Sequence, residues 1–258
     1  MHFHLLYPSW NPTALVEIKP VNFAQKKDIE TMIIGQYSEI EQVGFIYRTD
    51  WIPMLEMVNE ELCINAIFSY LCVLGKEAPA WFKEEIHLVW PNYWIIWGKT
   101  ENSHFTINIP TVYKKQISLF DNYSIVDLAW IRHILSWLPE EDFMKFMDSQ
   151  ILEMKATPNA LVTGINRLSF RQNEIYLKPY IYYHRDNVLI PETSCWSGTI
   201  SFVASEILKN NILKEASWEI RQVSWGKLEV SWFLWEDGVH CSISNDVLYK
   251  ALSSLYVS

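Results

Sequence analysis

Apolar residues along the 258-residue chain alternate between short runs of strand character and longer stretches at helical spacing, which predicts strands interleaved with amphipathic helices. Phe3–Leu6 and Leu15–Ile18 read as strands. A helix is expected over Phe23–Tyr37, with Ile29, Ile33, Ile34 and Tyr37 on one side and Lys26, Lys27 and Glu30 on another. Gln42–Tyr47 returns to strand. The apolar run Ile64–Leu74 has helical spacing and stops at Gly75, as helices commonly do. Strands are expected at Ile86–Val89, Tyr93–Trp97 and Phe105–Ile109.

The second half repeats this order loosely. A strand is expected over Val112–Leu119, helical segments within Ser124–Trp137 and Glu140–Ile151, and strands over Leu161–Phe170 and Ile175–Tyr183. A helix over Trp196–Leu208 follows, then strands at Trp218–Val223, Leu228–Leu234 and His240–Ile243, with turns at Trp225-Gly226-Lys227 and Asp237-Gly238. A short helix over Asn245–Leu255 closes the chain. The fold class is therefore mixed α/β, of the α+β kind. Its length suits two lobes, 1–110 and 111–244, with the segment 245–258 packing back on the first as a helix.

The two halves match most sharply at one place. Glu61-Leu62-Cys63-Ile64-Asn65-Ala66 and Glu192-Thr193-Ser194-Cys195-Trp196-Ser197-Gly198-Thr199 each set a Glu just ahead of a Cys, then small polar residues, then an apolar helix. Each lobe would thus present a cysteine at a helix N-terminus. There the unsatisfied N–H groups and the positive end of the helix dipole ease ionisation of a thiol and hold a carboxylate. Two such termini facing each other could bind an amino acid by its carboxylate. One thiolate would take the α-proton and the other thiol return one from the opposite face, inverting the centre without a cofactor. Cys72 and Cys241 read instead as small buried hydrophobes.

Composition narrows the alternatives. With 21 basic and 30 acidic residues the net charge is −9, and Lys26-Lys27 and Lys114-Lys115 are isolated pairs read as solvated faces, so neither nucleic acid nor an anionic membrane is an expected partner. No basic stretch followed by an apolar run opens the sequence and no window is apolar enough to span a bilayer, so a cytoplasmic location is expected. The four cysteines lack zinc-site or disulfide-scaffold spacing, and reduced thiols are expected. Most of the 13 tryptophans must be core. His2-x-His4 lacks a local third metal ligand, so no metal is expected, and His240 beside Cys241 reads as a hairpin pair. A hydrolase using Cys195 as nucleophile stays open, but leaves the matched position of Cys63 unexplained.

The paired motifs resemble those of the diaminopimelate epimerase superfamily of cofactor-independent racemases and epimerases. That family carries Cys-Gly-Asn in its first half and Cys-Gly-Ser/Thr-Gly in its second. The resemblance covers most of the chain: Asn11 lies in an N-terminal strand-turn-strand, Gln42 within Glu41-Gln42-Val43-Gly44-Phe45, Asn65 after the first cysteine and Ser197-Gly198-Thr199 after the second. It implies two pseudo-symmetric lobes, each a curved, mainly antiparallel sheet around a central helix, with the active site in the cleft between them. It also implies Cys63 and Cys195 as the acid/base pair and no cofactor. Substrate contacts would come from Asn11, Gln42, Ile64, Asn65, Asn166, Glu192, Trp196, Ser197, Gly198 and Thr199, and the assembly would be a homodimer acting on a small-molecule amino-acid substrate.

The sequence departs from the family at three places. Ile64 and Trp196 replace the glycines after the cysteines, which puts in question any conformation needing glycine. The Glu-Arg pair upstream of the second cysteine is missing; Arg185, Asp186 and Asn187 stand near its place. Gly-Asn-Pro-His is here Gly164-Ile165-Asn166-Arg167. Without the distal Glu-Arg pair, the sequence is more similar to the histidine racemase branch, which supplies D-histidine for opine metallophores, than to diaminopimelate epimerase. Its alternatives are diaminopimelate or another amino acid as substrate, or a catalytically degenerate member that binds a small molecule or protein.

Overall fold

A computed structural model describes residues 1–8, 11–59, 62–76, 81–89, 95–101, 104–128, 131–156, 162–171, 174–210, 212, 216–223, 227–235 and 238–254. The chain divides into two compact units, residues 1–108 with 243–258 and residues 109–242. The first contains β1 (His2–Pro8), β2 (Thr13–Val16), α1 (Phe23–Gln36), β3 (Gln42–Thr49), β4 (Ile52–Met57), α2 (Ile64–Gly75), β5 (Trp81–Leu88), β6 (Ile95–Glu101) and β7 (His104–Asn108). The second contains β8 (Val112–Tyr113), a 3₁₀ turn, β9 (Ile117–Leu119), β10 (Tyr123–Asp127), β11 (Arg132–Ser136), α3 (Glu140–Ala156), β12 (Val162–Arg171), β13 (Glu174–Tyr183), β14 (Val188–Pro191), α4 (Trp196–Lys209), β15 (Ala216–Gln222) and β16 (Lys227–Trp235). The last strand, β17 (Gly238–Ser254), starts in the second unit, where it pairs with β8, and ends in the first, where it pairs with β1.

Both units are built by the same rule. Antiparallel hairpins β1–β2, β3–β4 and β5–β6 are joined through helices by parallel pairings, β2 with β3 across α1 and β4 with β5 across α2. In the second unit the hairpins are β10–β11, β12–β13 and β15–β16. The parallel pairings are β11 with β12 across α3 and β13 with β15 across α4. The architecture is α+β, as the alternation of patterns predicts.

The helices fall into two kinds because their sequences do. In α2 every residue from Ile64 to Cys72 is buried, and in α4 every residue from Trp196 to Ser205. A helix apolar on all sides must be enclosed. Accordingly α2 packs against strands β1 to β7, and α4 against β9, β10, β11 and β16. By contrast α1 and α3 are one-sided. Ile29 and Ile33 of α1 pack with Phe3, Ala14, Val16, Val43 and Phe45, while Phe143, Met147 and Met154 of α3 pack with Ile134, Ile165 and Tyr182. The central strands are thus covered on both faces, and strand alternation decides which residues meet the inner helix.

Several expectations need correction. The segment 245–254 is strand, not helix: Val247, Leu248 and Tyr249 pair with Pro8, Tyr7 and Leu6 across a bulge at Leu5/Leu6. The ladder of β1 needs a partner on that side, and this tertiary demand overrides a short run of helical spacing. The helix expected within 124–137 is the hairpin β10–β11, closed by a Leu128 N–H to Ile131 carbonyl bond of 3.0 Å, and its aromatic and β-branched content suits strand. Strands β4 and β14 are additional. Lys26 is not a solvated residue. It is 3 % exposed and pairs with Glu56 at 2.9 Å, tying α1 to β4. Glu61 and parts of the expected strand at 93–97 and of the turns at 225–227 and 237–238 lie outside the described residues.

Because α2 is enclosed, truncating it leaves a cavity that its neighbours cannot refill. Ile67→Ala, at a fully buried position, should lower the urea-unfolding free energy by about 2–5 kcal/mol. Leu152→Ala, at a position 73 % exposed on α3, should change it by less than about 0.5 kcal/mol.

Candidate functional site

Cys63 is the N-cap of α2 and Cys195 the N-cap of α4, both with extended backbone and both buried. Each sulfur accepts the N–H of the third helical residue, Ala66 to Cys63 Sγ at 3.3 Å and Gly198 to Cys195 Sγ at 3.4 Å. Serine, threonine, aspartate and asparagine make better caps than a thiol. The same weaker choice at both central helices is not what stability alone would select.

In the first unit, alternation on β2 and β3 sends Ala14, Val16, Val43 and Phe45 to α1 and leaves Gln42 for α2. The Cys63 thiol donates to Gln42 Oε1. Gln42 is in register with Thr13, whose hydroxyl donates to Asn11 Oδ1 at 3.2 Å, and Asn11 Nδ2 donates to Glu41 Oε2 at 2.7 Å. Asn11, Gln42, Cys63, Ile64 and Asn65 thus gather at the start of α2. Asn65 Oδ1 is buried with no hydrogen-bond partner among the described residues.

In the second unit the same alternation sends Ile134 and Ile165 to α3, and His133 and Asn166 to α4. Cys195 Sγ lies 3.6 Å from Ser197 Oγ, which lies 2.8 Å from His133 Nε2, and His133 Nδ1 lies 3.0 Å from Asn166 Nδ2. Two glycines make this approach possible. A Cβ at Gly198 would sit 2.6 Å from Asn166 Oδ1, and one at Gly164 would collide with His133 Nδ1. The backbone of Cys195 is held by a closed ring: its N–H donates to Gln222 Oε1 (3.0 Å), Gln222 Nε2 to Thr199 Oγ1 (3.1 Å) and Thr199 Oγ1 to the Cys195 carbonyl (2.8 Å).

Of the residues singled out in this unit, Asn166, Cys195, Trp196, Ser197, Gly198 and Thr199 come together, with Trp196 buried in the first turn of α4. Glu192 lies half-buried in the connection before the helix, its N–H on the Pro179 carbonyl. Arg167 points the other way, donating to the Leu138 carbonyl. Arg185, Asp186 and Asn187 form an exposed turn in which Asn187 has φ 53° and accepts from the Tyr182 hydroxyl. Among described non-glycine residues, positive φ occurs only at Asp50, Trp51 and Asn187, so Ile64 and Trp196 occupy positions that need no glycine.

The sequence reading missed His133 and Gln222. His133 was hidden by the helix expected over its segment; for Gln222 the signal is a polar residue at an inward strand position. Burial pushes the Cys72 thiol up to about 11 and the Cys241 thiol up to about 12, so neither ionises near neutrality. His4 pairs with Glu17 at 2.8 Å, and His240 bonds Thr111 and stacks on Phe233.

Complete burial lowers His133 to about 3 from its ordinary 6.5, so it is neutral at physiological pH. Between those values the unfolded chain binds a proton that the folded chain refuses. This contribution to stability is therefore complete above about 6.5 and is lost as pH falls toward 3, at up to about 1.4 kcal/mol per pH unit. The urea midpoint of His133→Gln should fall less than that of wild type over this window; parallel curves would contradict the buried neutral imidazole.

No protein-family model matches the sequence, and no curated protein matches it. Solved structures do match its fold over nearly the whole chain. A hydroxyproline epimerase from Agrobacterium vitis, with bound trans-4-hydroxy-L-proline, superposes with TM-score 0.71 at 6 % identity, covering 98 % of this chain and 91 % of its own. A protein described as a predicted epimerase from Pseudomonas aeruginosa gives 0.69 at 10 % identity, covering 100 % and 99 %. A phenazine biosynthesis protein of the PhzF family from Enterococcus faecalis gives 0.63 at 11 % identity, covering 99 % of both chains. The chain has the α+β fold of these proteins.

Proposed function

We propose that this chain is a cofactor-independent amino-acid racemase or epimerase in which Cys63 and Cys195 act as a thiol/thiolate pair, with histidine as substrate. The observation that carries the reading is the matched capping: each unit encloses one helix, and each such helix begins on a buried cysteine whose sulfur accepts the N–H three residues on. Sharing a fold with a hydroxyproline epimerase supports it.

The chemistry follows from the caps. A substrate carboxylate would take the N–H groups at the start of α2 and α4, which a helix leaves without internal partners. The oxygens of Asn65 and Asn166, buried without partners among the described residues, suit an α-ammonium group. A thiolate takes the Cα proton and becomes a thiol, and the electron pair delocalises onto the carboxylate held by the N–H groups. The carbanion then takes a proton from the other thiol, which becomes the thiolate. The reaction requires the two sulfurs to flank one α-carbon.

Histidine is favoured over diaminopimelate on subtractive grounds. A second zwitterionic head needs placed charges, and the residues standing where the family's Glu-Arg pair would be form an exposed turn. An imidazole asks for one or two hydrogen bonds and a flat apolar wall. D-histidine made this way would supply an opine metallophore pathway in the cytoplasm, by a homodimer.

Incubation with single L-amino acids in deuterated water tests the reading. L-Histidine should exchange its α-proton and lose chirality without added cofactor, and diaminopimelate should react far more slowly. No exchange with any amino acid would refute the racemase, while faster diaminopimelate would refute the substrate. Cys63→Ser and Cys195→Ser should each reduce racemisation about a thousandfold, the scale of a lost acid/base group. Because serine caps helices better than cysteine, both variants should hold or raise the urea midpoint; near wild-type turnover in either would sink the two-thiol assignment.

A further inference from the structure

The two sulfurs share a cap but not a neighbour. At Cys63 a neighbouring atom is an acceptor, the Gln42 carbonyl oxygen, to which the thiol donates. At Cys195 a neighbour is the Ser197 hydroxyl, which can both donate and accept and is itself contacted by His133. Asn166 Nδ2 reaches the Ile134 carbonyl at 3.4 Å as well as His133 Nδ1, and only an amide nitrogen can donate to a carbonyl. Nδ1 of His133 therefore accepts, the ring proton sits on Nε2, and Nε2–H donates to Ser197 Oγ. The serine hydroxyl, with one lone pair taken by that N–H, still has its own proton to direct at Cys195 Sγ 3.6 Å away.

We propose that Asn166, His133 and Ser197 form a donor relay that holds Cys195 deprotonated in the resting protein, making Cys195 the base and Cys63 the acid of the pair. The assignment of acid and base rests on the two-thiol reading above. His133 acts through Ser197 and is a positioning residue, not a catalytic one. Its burial keeps it neutral, so it supplies a directed N–H rather than a charge. Among the described side chains on the strands packed against α4, the other titratable groups do not take this part: Asp127 and Arg132 pair with each other, Tyr123 stacks on Phe120 and Glu229 is exposed. The position of Gly164, where any Cβ would strike the imidazole, marks the ring's seat as specific.

The relay is read without substrate, by titrating thiolate ultraviolet absorbance in the full-length protein and taking differences between variants. Cys195→Ser should remove the thiolate that forms at the lowest pH, and Cys63→Ser should leave it. His133→Leu and Ser197→Ala should move that step up by about one to two pH units, the scale of a lost charge-assisted hydrogen bond. His133→Gln, which retains an N–H donor, should restore it; a merely structural histidine would not separate Gln from Leu in this readout. Should His133→Leu fail to fold, Ser197→Ala reads the same link from its other end. The proposal is overturned if the lowest step survives Cys195→Ser, or if it stays in place when the relay is cut. A wild type that exchanges no α-proton yet shows these shifts would instead overturn the racemase reading and leave the relay standing.

Discussion

Enclosing a helix on all sides is the constraint from which the rest of this structure follows. A solvent-facing helix can leave the N–H groups of its first turn to water, but α2 and α4 cannot, because their first turns are buried. Partners must come from the chain itself, and in both units the residue before the helix supplies one with its sulfur. The same enclosure buries both faces of the central strands. Of the polar residues on the inner faces, Gln42 and His133 find partners at the helix starts, in Cys63 and Ser197, and Asn166 finds its own in His133 and the Ile134 carbonyl.

The sequence made the architecture legible where period and length agreed. The helices over 23–36, 64–75 and 196–209 have long apolar stripes or runs and clear ends, and the structure has them within a residue or two. It misled where a short run satisfies two periods at once. Residues 245–254, 123–127 and 132–136 are strands because a neighbouring ladder needs a partner, and such a demand has no local trace. Lys26 failed for a related reason: its place on the face of α1 could be read, but not that Glu56 waits beneath it.

The candidate residues divide the same way. Those next to the cysteines in sequence were visible as a repeated motif, since a helix start is a local event. His133 and Gln222 reach α4 from strands about 60 residues before and 27 residues after Cys195, and only the folded sheet brings them there. Gly198 and Gly164 illustrate a glycine need that local pattern cannot express. Neither has positive φ; both are small because another residue's side chain already fills the space a Cβ would take.

The two-base inversion proposed for this chain needs its two sulfurs in opposite protonation states, and a perfectly repeated pair of sites would give no reason for either sulfur to hold the proton. The fold repeats its helices and caps, so a difference between the sulfurs must come from the side chains around them: Gln42 of β3 beside Cys63, and Ser197 of α4, contacted by His133 of β11, beside Cys195. A carbonyl oxygen beside Cys63 can only accept, whereas the hydroxyl beside Cys195 can also donate, so the two sulfurs are offered different hydrogen bonds. Substituting the residues behind the caps can therefore tune each thiol while the backbone that positions it is left alone. In the proposed reaction that separation would let a duplicated scaffold carry an asymmetric step: the caps fix where each sulfur sits within its own unit, and the side chains around it would set which sulfur holds the proton.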